Sequence, residues 1–244
     1  YSAMINPSRG SSVEEVLAEV KKASVSFQVG FNRRFDPNFV KAKNVVLAGD
    51  VGDVHVIKIT SRDPEAPPLS YVKSSGGIFV DMTIHDFDMA RFLAGSEPVE
   101  IFAVGDALIN KEIMQYDDID TAIITIKFEN GAMAVIDNSR QSAYGYDQRI
   151  EVFGSKGMVK CENNTETQTT LFTNDGVIKD KPLYFFLERY QESYEIELVQ
   201  YFNAIEKGQE TPAVGKDGLV ALLMAIAAKK SLKENRPVRI SEIY

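Results

Sequence analysis

Thr121-Ala-Ile-Ile-Thr-Ile-Lys-Phe-Glu-Asn-Gly-Ala-Met-Ala-Val-Ile-Asp-Asn-Ser139 decides the fold. Thr121 to Phe128 and Ala132 to Ser139 are rich in β-branched residues and alternate apolar with polar, the period of a half-buried strand. Asn130-Gly131 sits between them, a pair that tolerates the positive φ required at both central positions of a two-residue hairpin turn. Around this hairpin lie further strand-like runs: Glu100 to Leu108, Gln148 to Phe153, Met158 to Glu162 and Gln168 to Thr173, with turns at Gly154 to Gly157 and at Asn174-Asp175-Gly176. This half reads as one large antiparallel sheet.

Upstream the pattern is mixed. Ser12 with Glu15 forms a capping box, Val13, Val16, Leu17 and Val20 follow at helical spacing, and Val25 to Phe31 turns strand-like. Asp36-Pro37 starts a helix that ends near Gly49. Val54 to Thr60 is a strand, and Pro64, Pro67 and Pro68 make Asp63 to Leu69 a loop. Gly76-Gly77 leads into a short apolar strand end, Ile78 to Val80, and then a helix to about Leu93. After the sheet, Leu187 to Lys207 is a helix with Tyr190, Tyr194, Leu198, Tyr201, Phe202 and Ile205 on one stripe, read as core packing, and Lys216 to Glu234 is a second helix. A mostly antiparallel open sheet with helices on one face is the α+β solution. Tyr1 to Ser11, without periodicity, reads as a leader.

Composition narrows the function. The 244 residues are enough for a core without disulfide or metal staples, and 44% apolar with 25% charged is ordinary for a globular chain. A net charge of -8, from 27 basic against 35 acidic residues, argues against a nucleic-acid partner. The single cysteine, Cys161, is read as inert and fits a cytoplasmic protein. No apolar run is long enough to span a bilayer. No G-x-G-x-x-G or G-x-x-x-x-G-K-[ST] turn occurs, so the common glycine cradles for phosphate are missing.

Two histidines limit the candidates for acid–base work near neutrality. His55 reads as an ordinary strand residue. His85 lies in Asp81-Met-Thr-Ile-His-Asp-Phe-Asp88, and on one continuous helix Asp81, His85 and Asp88 share a face. A carboxylate on one ring nitrogen would orient and strengthen the imidazole as a base. Two other readings compete: Thr83 with Asp86 is a capping pair, with Asp81 on a preceding strand end, or Asp81, His85 and Asp88 hold Mn²⁺ or Zn²⁺. Arg33 and Arg34, in Gly30-Phe-Asn-Arg-Arg-Phe-Asp-Pro37, are either donors to a polyol or phosphate or members of surface ion pairs. Tyr144, Tyr146 and Asp147 form a polar-aromatic cluster.

Three ordered motifs, Gly30 to Pro37, Ile78 to Arg91 and Tyr144 to Gly157, together resemble the glucose-fructose oxidoreductase and inositol dehydrogenase (Gfo/Idh/MocA) family, its inositol 2-dehydrogenases most of all. The resemblance runs from about Ser12 to the C-terminus. It implies an NAD- or NADP-dependent oxidoreductase that converts a secondary hydroxyl of a polyol such as myo-inositol to a ketone, and a homo-oligomer paired through the open sheet. By position it makes His85 the base, Asp81 its support, and Asn32, Arg33, Arg62, Asp63 and Tyr144 or Tyr146 contacts to the polyol, with no metal. The family's glycine fingerprint and its Glu-Lys-Pro segment would precede Ser12. The resemblance therefore implies a chain divided into a leader and nucleotide-domain remnant over residues 1–31 and a substrate and oligomerisation domain over 32–244, inactive alone. The alternative is a non-catalytic sugar-binding or sheet-pairing module.

Overall fold

The computed structural model describes residues 10–243. Among the described residues the chain opens with α1 (Gly10–Ala23), passes a 3-10 turn at Asn32–Phe35, and continues through α2 (Pro37–Leu47), β1 (Val54–Arg62), α3 (Leu69–Ser75), α4 (Ile78–Asp81) and α5 (Thr83–Ala94). Strands β2 (Pro98–Asp106), β3 (Thr121–Phe128), β4 (Met133–Ser139), β5 (Asp147–Gly154), β6 (Met158–Cys161), β7 (Thr170–Thr173) and β8 (Gly176–Lys179) follow. Helices α6 (Phe186–Glu206) and α7 (Gly215–Glu234) precede a last short strand, β9 (Val238–Arg239). The Ser12 side chain of the expected capping box and residues 1–9 of the expected leader lie outside the described residues.

Seven strands form one sheet in the order β6-β5-β1-β4-β3-β2-β9. All neighbours are antiparallel except β1 and β4, which run parallel with Arg62 beside Ser139. The sheet is thus mixed. One face alternates inward: Ile57 and Ile59, Ile101 and Ala103, Ile124 and Ile126, Ala134 and Ile136, and Ile150 and Val152 bury against Phe87, Ala90 and Leu93 of α5 and Ala221, Met224, Ala225 and Ala228 of α7. Each large residue so buried contributes roughly 1.5–3 kcal/mol. The other face stays open, with Val104, Ile123, Met133 and Phe153 exposed.

Several expectations change. Val25 to Phe31 is not a strand: Val29 N–H bonds Ala213 O (2.9 Å), and side chains bond two carbonyls, Tyr201 that of Ser26 and Thr211 that of Phe27, so the segment is held without a ladder. Ile78 to Val80 is helical, because Val80 and Asp81 N–H both reach back to Gly77 O. The hairpin at Asn130-Gly131 has three loop residues; only Gly131 has positive φ (87°), with Phe128 N–H bonded to Ala132 O (2.9 Å). β7 leaves the main sheet and pairs with β8 instead. On α6 only Tyr190 of the expected stripe is buried, while Leu198, Phe202 and Ile205 are exposed, since the helix packs mainly by its first turns against the 3-10 turn. Asp36 caps α2 as read, accepting from Asn38 and Phe39 N–H at 3.1 Å. Among the described residues no helix is long and apolar enough to cross a membrane.

Candidate active site

At one end of the sheet the inward-facing register changes character. Along β1 it runs Ile57, Ile59, Ser61 and then Asp63; along β4, Ala134, Ile136, Asn138 and then Arg140; along β5 in reverse, Val152, Ile150, Gln148 and then Tyr146. Ser61 pairs in register with both Gln148 and Asn138, so adjacent strands turn polar at one level. Polar groups on a core face need partners, and most of these have them, the Gln148 Nε2 donor being an exception. Ser61 Oγ donates to Gln148 Oε1 (3.1 Å), Asn138 Nδ2 donates to Ser61 O (3.2 Å) and to Asp86 Oδ2 (2.9 Å), and Thr83 Oγ1 bonds Asn138 Oδ1 (2.6 Å).

The 3-10 turn Asn32–Phe35 and helix α5 close over this end. Arg33, 6% exposed, forms an ion pair with Asp86, which is fully buried, and a second guanidinium nitrogen reaches Ser61 Oγ (3.3 Å). Thr83 and Asp86 are therefore not a capping pair. Arg34 faces the other way, bidentate to Asp88 (2.8 and 2.6 Å) and bonded to Asp217 (3.0 Å). Tyr190 lies edge-on to Tyr146 at 6.0 Å, with the Arg33 guanidinium 5.9 Å from its ring centre.

His85 sits half-buried one residue before Asp86, edge-on to Phe31 at 6.0 Å. Its Nδ1 is enclosed and has no hydrogen-bond partner, so the exposure the ring keeps lies on its other atoms. Neither flanking carboxylate touches it. Asp81 accepts from Tyr71 Oη (2.5 Å) and from Arg140 NH1 (2.8 Å), and Asp88 is held by Arg34. The three residues do not share a helix face, because α4 ends at Asp81 and α5 begins at Thr83. They do not converge on a metal position either. The charged neighbour that acts on the ring is Arg33: burial first, and this cation second, push His85 down to about 3. Asp63 moves the other way, pushed up to about 6 by burial against the opposing pull of Arg140 and Arg33. Burial raises Tyr146 well above the usual phenol range.

Of the residues singled out in sequence, Asn32, Arg33, Asp63, Asp81, His85 and Tyr146 gather here. Arg62 and Tyr144 do not. Successive strand residues face opposite ways, so Arg62 lies on the open face, ion-paired with Asp137 and bonded to Tyr144 Oη (3.0 Å), which itself donates to Asp147 (2.6 Å). Sequence reading passed over Ser61, Asn138, Arg140, Gln148 and Tyr71. The signal available for four of them was the switch from apolar to polar in the inward phase of the β1, β4 and β5 strands. Cys161 donates to Asn38 O (3.3 Å), and burial pushes its thiol up to about 11, which makes it a poor nucleophile. A cleft of about 390 Å³, lined in part by Glu97, Lys216 and Arg239, shares no residue with this cluster, and its Glu97 is already paired with Arg91 and Lys216.

Residues 39–160 match the model of the GFO/IDH/MocA C-terminal domain. The chain belongs to the GFO/IDH/MocA family. Within it, the chain is similar to the oxidoreductase YrbE of Bacillus subtilis, 57% identical over 93% of this chain and 66% of that protein. It is 51% identical to a myo-inositol 2-dehydrogenase of Thermotoga maritima, over 95% of this chain and 69% of that one. A scyllo-inositol dehydrogenase from Lactobacillus casei, solved with NAD(H) and scyllo-inositol bound, superposes with a TM-score of 0.86 at 29% identity, covering 95% of this chain and 70% of that one. The chain spans about two thirds of the length of these family members.

A dinucleotide's phosphates are ordinarily seated by backbone N–H groups where a glycine turn opens a helix. The glycine pair that opens a helix among the described residues, Gly76-Gly77 before α4, is already filled by an acid: Ile78 N–H donates to Asp118 Oδ1 (2.8 Å), and a Cβ on Gly77 would lie 2.9 Å from that oxygen. The described residues thus do not fit a family-type phosphate cradle.

The two shifted groups give stability a pH dependence. An unfolded histidine takes up a proton near 6.5, whereas His85 in the fold resists protonation down to about 3. The stability that His85 contributes is complete above about pH 6.5 and is lost as pH falls toward 3. Asp63 has the opposite sign, its contribution present below the ordinary carboxylate value of 3.8 and lost as pH rises to about 6. Between pH 4 and 6 the two contributions oppose one another. In thermal melts of His85→Asn the part of Tm that rises with pH is therefore expected to disappear, and the fall caused by Asp63 to stand out against the parent. An unchanged pH profile would show that the ring is not shifted as described.

Proposed function

We propose that this chain supplies the polyol-binding and proton-accepting residues of an NAD(P)-dependent inositol 2-dehydrogenase, with residues 32–244 forming the polyol domain. The observation that carries this reading is the gathering of His85, half-buried with an exposed ring edge that no carboxylate occupies, and Asp63, whose carboxyl is pushed up to about 6, at the polar ends of β1, β4 and β5. Its relatives' activities and ligands supply the substrate class.

The proton step follows from the ring's state. His85 is neutral at pH 7 and can accept a proton. Low basicity is no obstacle in alcohol oxidation: as the carbon loses its hydrogen with the electron pair, the remaining O–H becomes that of a protonated ketone, a strong acid. Arg33 and Asp86, locked together, fix the wall beside the ring. Asp63 and Tyr146 offer an acceptor and a donor to further hydroxyls. Asp63, Asp81 and Asp86 outnumber Arg33 and Arg140, which favours a neutral polyol over a sugar acid or sugar phosphate. NAD as the hydride acceptor comes from the relatives, one of them solved with NAD(H) bound, and no step of this chain's residues depends on how it is held. The exposed Val104, Ile123, Met133 and Phe153 on the open sheet face favour pairing with a second copy. A single cysteine fits a cytoplasmic setting.

Ligand-dependent melting tests the reading. A polyol at 100 times its dissociation constant stabilises the fold by about 2.7 kcal/mol. Myo-inositol or scyllo-inositol is expected to raise Tm in a saturable way, and a hexonate to leave it unchanged. No shift with any inositol would overturn the assignment.

A further inference from the structure

Arg140 belongs to no motif that marked the site, yet the sheet places it at the centre. β1 and β4 are the only parallel neighbours in the sheet, with Arg62 beside Ser139, so the next residues, Asp63 and Arg140, leave the two strands side by side on the inward face. Asp63 N–H bonds Ser139 O (2.9 Å) and Arg140 N–H bonds Asp120 O (2.8 Å), which fixes both departures. The Asp120 carboxylate in turn accepts from the N–H groups of Leu108, Ile109 and Asn110, each at 2.9 Å, so the anchor is itself rigid.

The Arg140 side chain is 2% exposed. NH1 donates to Asp81 Oδ2 at 2.8 Å, while Nε and NH2 are enclosed without partners. A buried guanidinium with two empty donors is costly, and a stability role alone would be better served by a full set of bonds. Because those atoms are enclosed, Arg140 does not reach substrate directly. Asp81 is the group it holds, together with Tyr71 Oη on the carboxylate's other oxygen.

We infer that Arg140 is a positioning residue of this site, which orients Asp81 and provides the positive charge that lets Asp81 and Asp63 stand together at the ends of the parallel strands. This rests on the polyol dehydrogenase reading and deepens it. The groups that face Asp63 are Arg33 from the 3-10 turn, Asp81 from α4, Asp86 from α5, Tyr71 from α3, Tyr146 before β5, and Arg140 itself. Arg33 is committed to Asp86, so Arg140 is the cation that balances the remaining two acids.

Three variants test the inference. In Arg140→Met the carboxyl of Asp63, followed by ¹³C NMR, is expected to titrate at least one pH unit higher than in the parent. Turnover of inositol is expected to fall at least tenfold with KM changed less than threefold, and the acid limb of the pH profile to move upward. Arg140→Lys, which keeps the charge and one donor, is expected to recover most of both effects. Tyr71→Phe, on an exposed ring, is expected to lower kcat several-fold without moving Asp63. If Arg140→Met does not fold, the Arg140→Lys and Tyr71→Phe pair decides: a several-fold loss of kcat at steady KM in Tyr71→Phe, with Asp63 unmoved and the lysine variant active, supports the inference. An unmoved Asp63 titration in Arg140→Met, or a lysine variant as impaired as the methionine one, overturns it. The NMR titration needs no turnover, so a parent that oxidises no inositol would refute the functional reading and leave the titration to judge Arg140 separately.

Discussion

Replacing His85 with alanine is expected to lower inositol turnover in the intact protein by roughly 10²- to 10⁴-fold, the range a positioned general base contributes, while inositol binding changes only a few-fold. The ring touches no carboxylate, so its effect is not relayed through Asp81, whose oxygens are occupied by Tyr71 and Arg140. It stands neutral because burial and Arg33 disfavour its charged form. A neutral imidazole with an accessible edge gains a proton only when the substrate hydroxyl has become acidic, which ties proton transfer to loss of hydride from the same carbon. Parallel losses of kcat and kcat/KM are the expected kinetic pattern, since the interaction forms in the transition state. A variant with undiminished kcat would remove His85 from the chemistry.

The second large effect concerns stability. Arg33→Met is expected to cost about 3–5 kcal/mol in urea unfolding, because it strands a buried carboxylate. Asp86 is 0% exposed and would keep only neutral partners, the Asn138 amide at 2.9 Å and the Ser61 hydroxyl. The double variant Arg33→Met/Asp86→Leu is expected to be more stable than the single one, since removing both charges leaves none unpaired. Loss of less than 1 kcal/mol in the single variant would mean that the pair is not as buried as described. The same change should also raise the His85 titration, because the cation that suppresses it is gone.

The sheet was legible where the signal was local. Thr121 to Phe128 alternates so regularly that its bounds are those of β3, and Asp36-Pro37 marks a cap and first helical position that the α2 geometry reproduces. Pairing was less legible. Nothing in Val54 to Thr60 says that it inserts between β4 and β5, or that it runs parallel to β4, because a strand's partners are set by packing across the whole chain. Ile78 to Val80 is too short an apolar run to separate strand from helix by periodicity, and Leu69–Ser75 lies too close behind two prolines to advertise its helix.

The candidate site was half visible for the same reason. His85, Asp81, Asn32 and Arg33 stand in short motifs that can be read along the chain. Asn138, Arg140 and Gln148 acquire meaning only once the inward phase of three strands is aligned at one level. Arg62, adjacent to Asp63 in sequence, lies on the opposite face, with Asp137 and Tyr144, because successive strand residues point to opposite sides.

With only two histidines in the chain, ¹⁵N NMR of the imidazole rings measures the proposed base directly, and His55, an exposed strand residue against Phe153, serves as internal reference. At pH 7 the His85 ring is expected to be neutral, and its signals to shift saturably as myo-inositol is added while those of His55 hold still. A His85 ring that is protonated at pH 7, or that ignores saturating inositol, would contradict its role as proton acceptor.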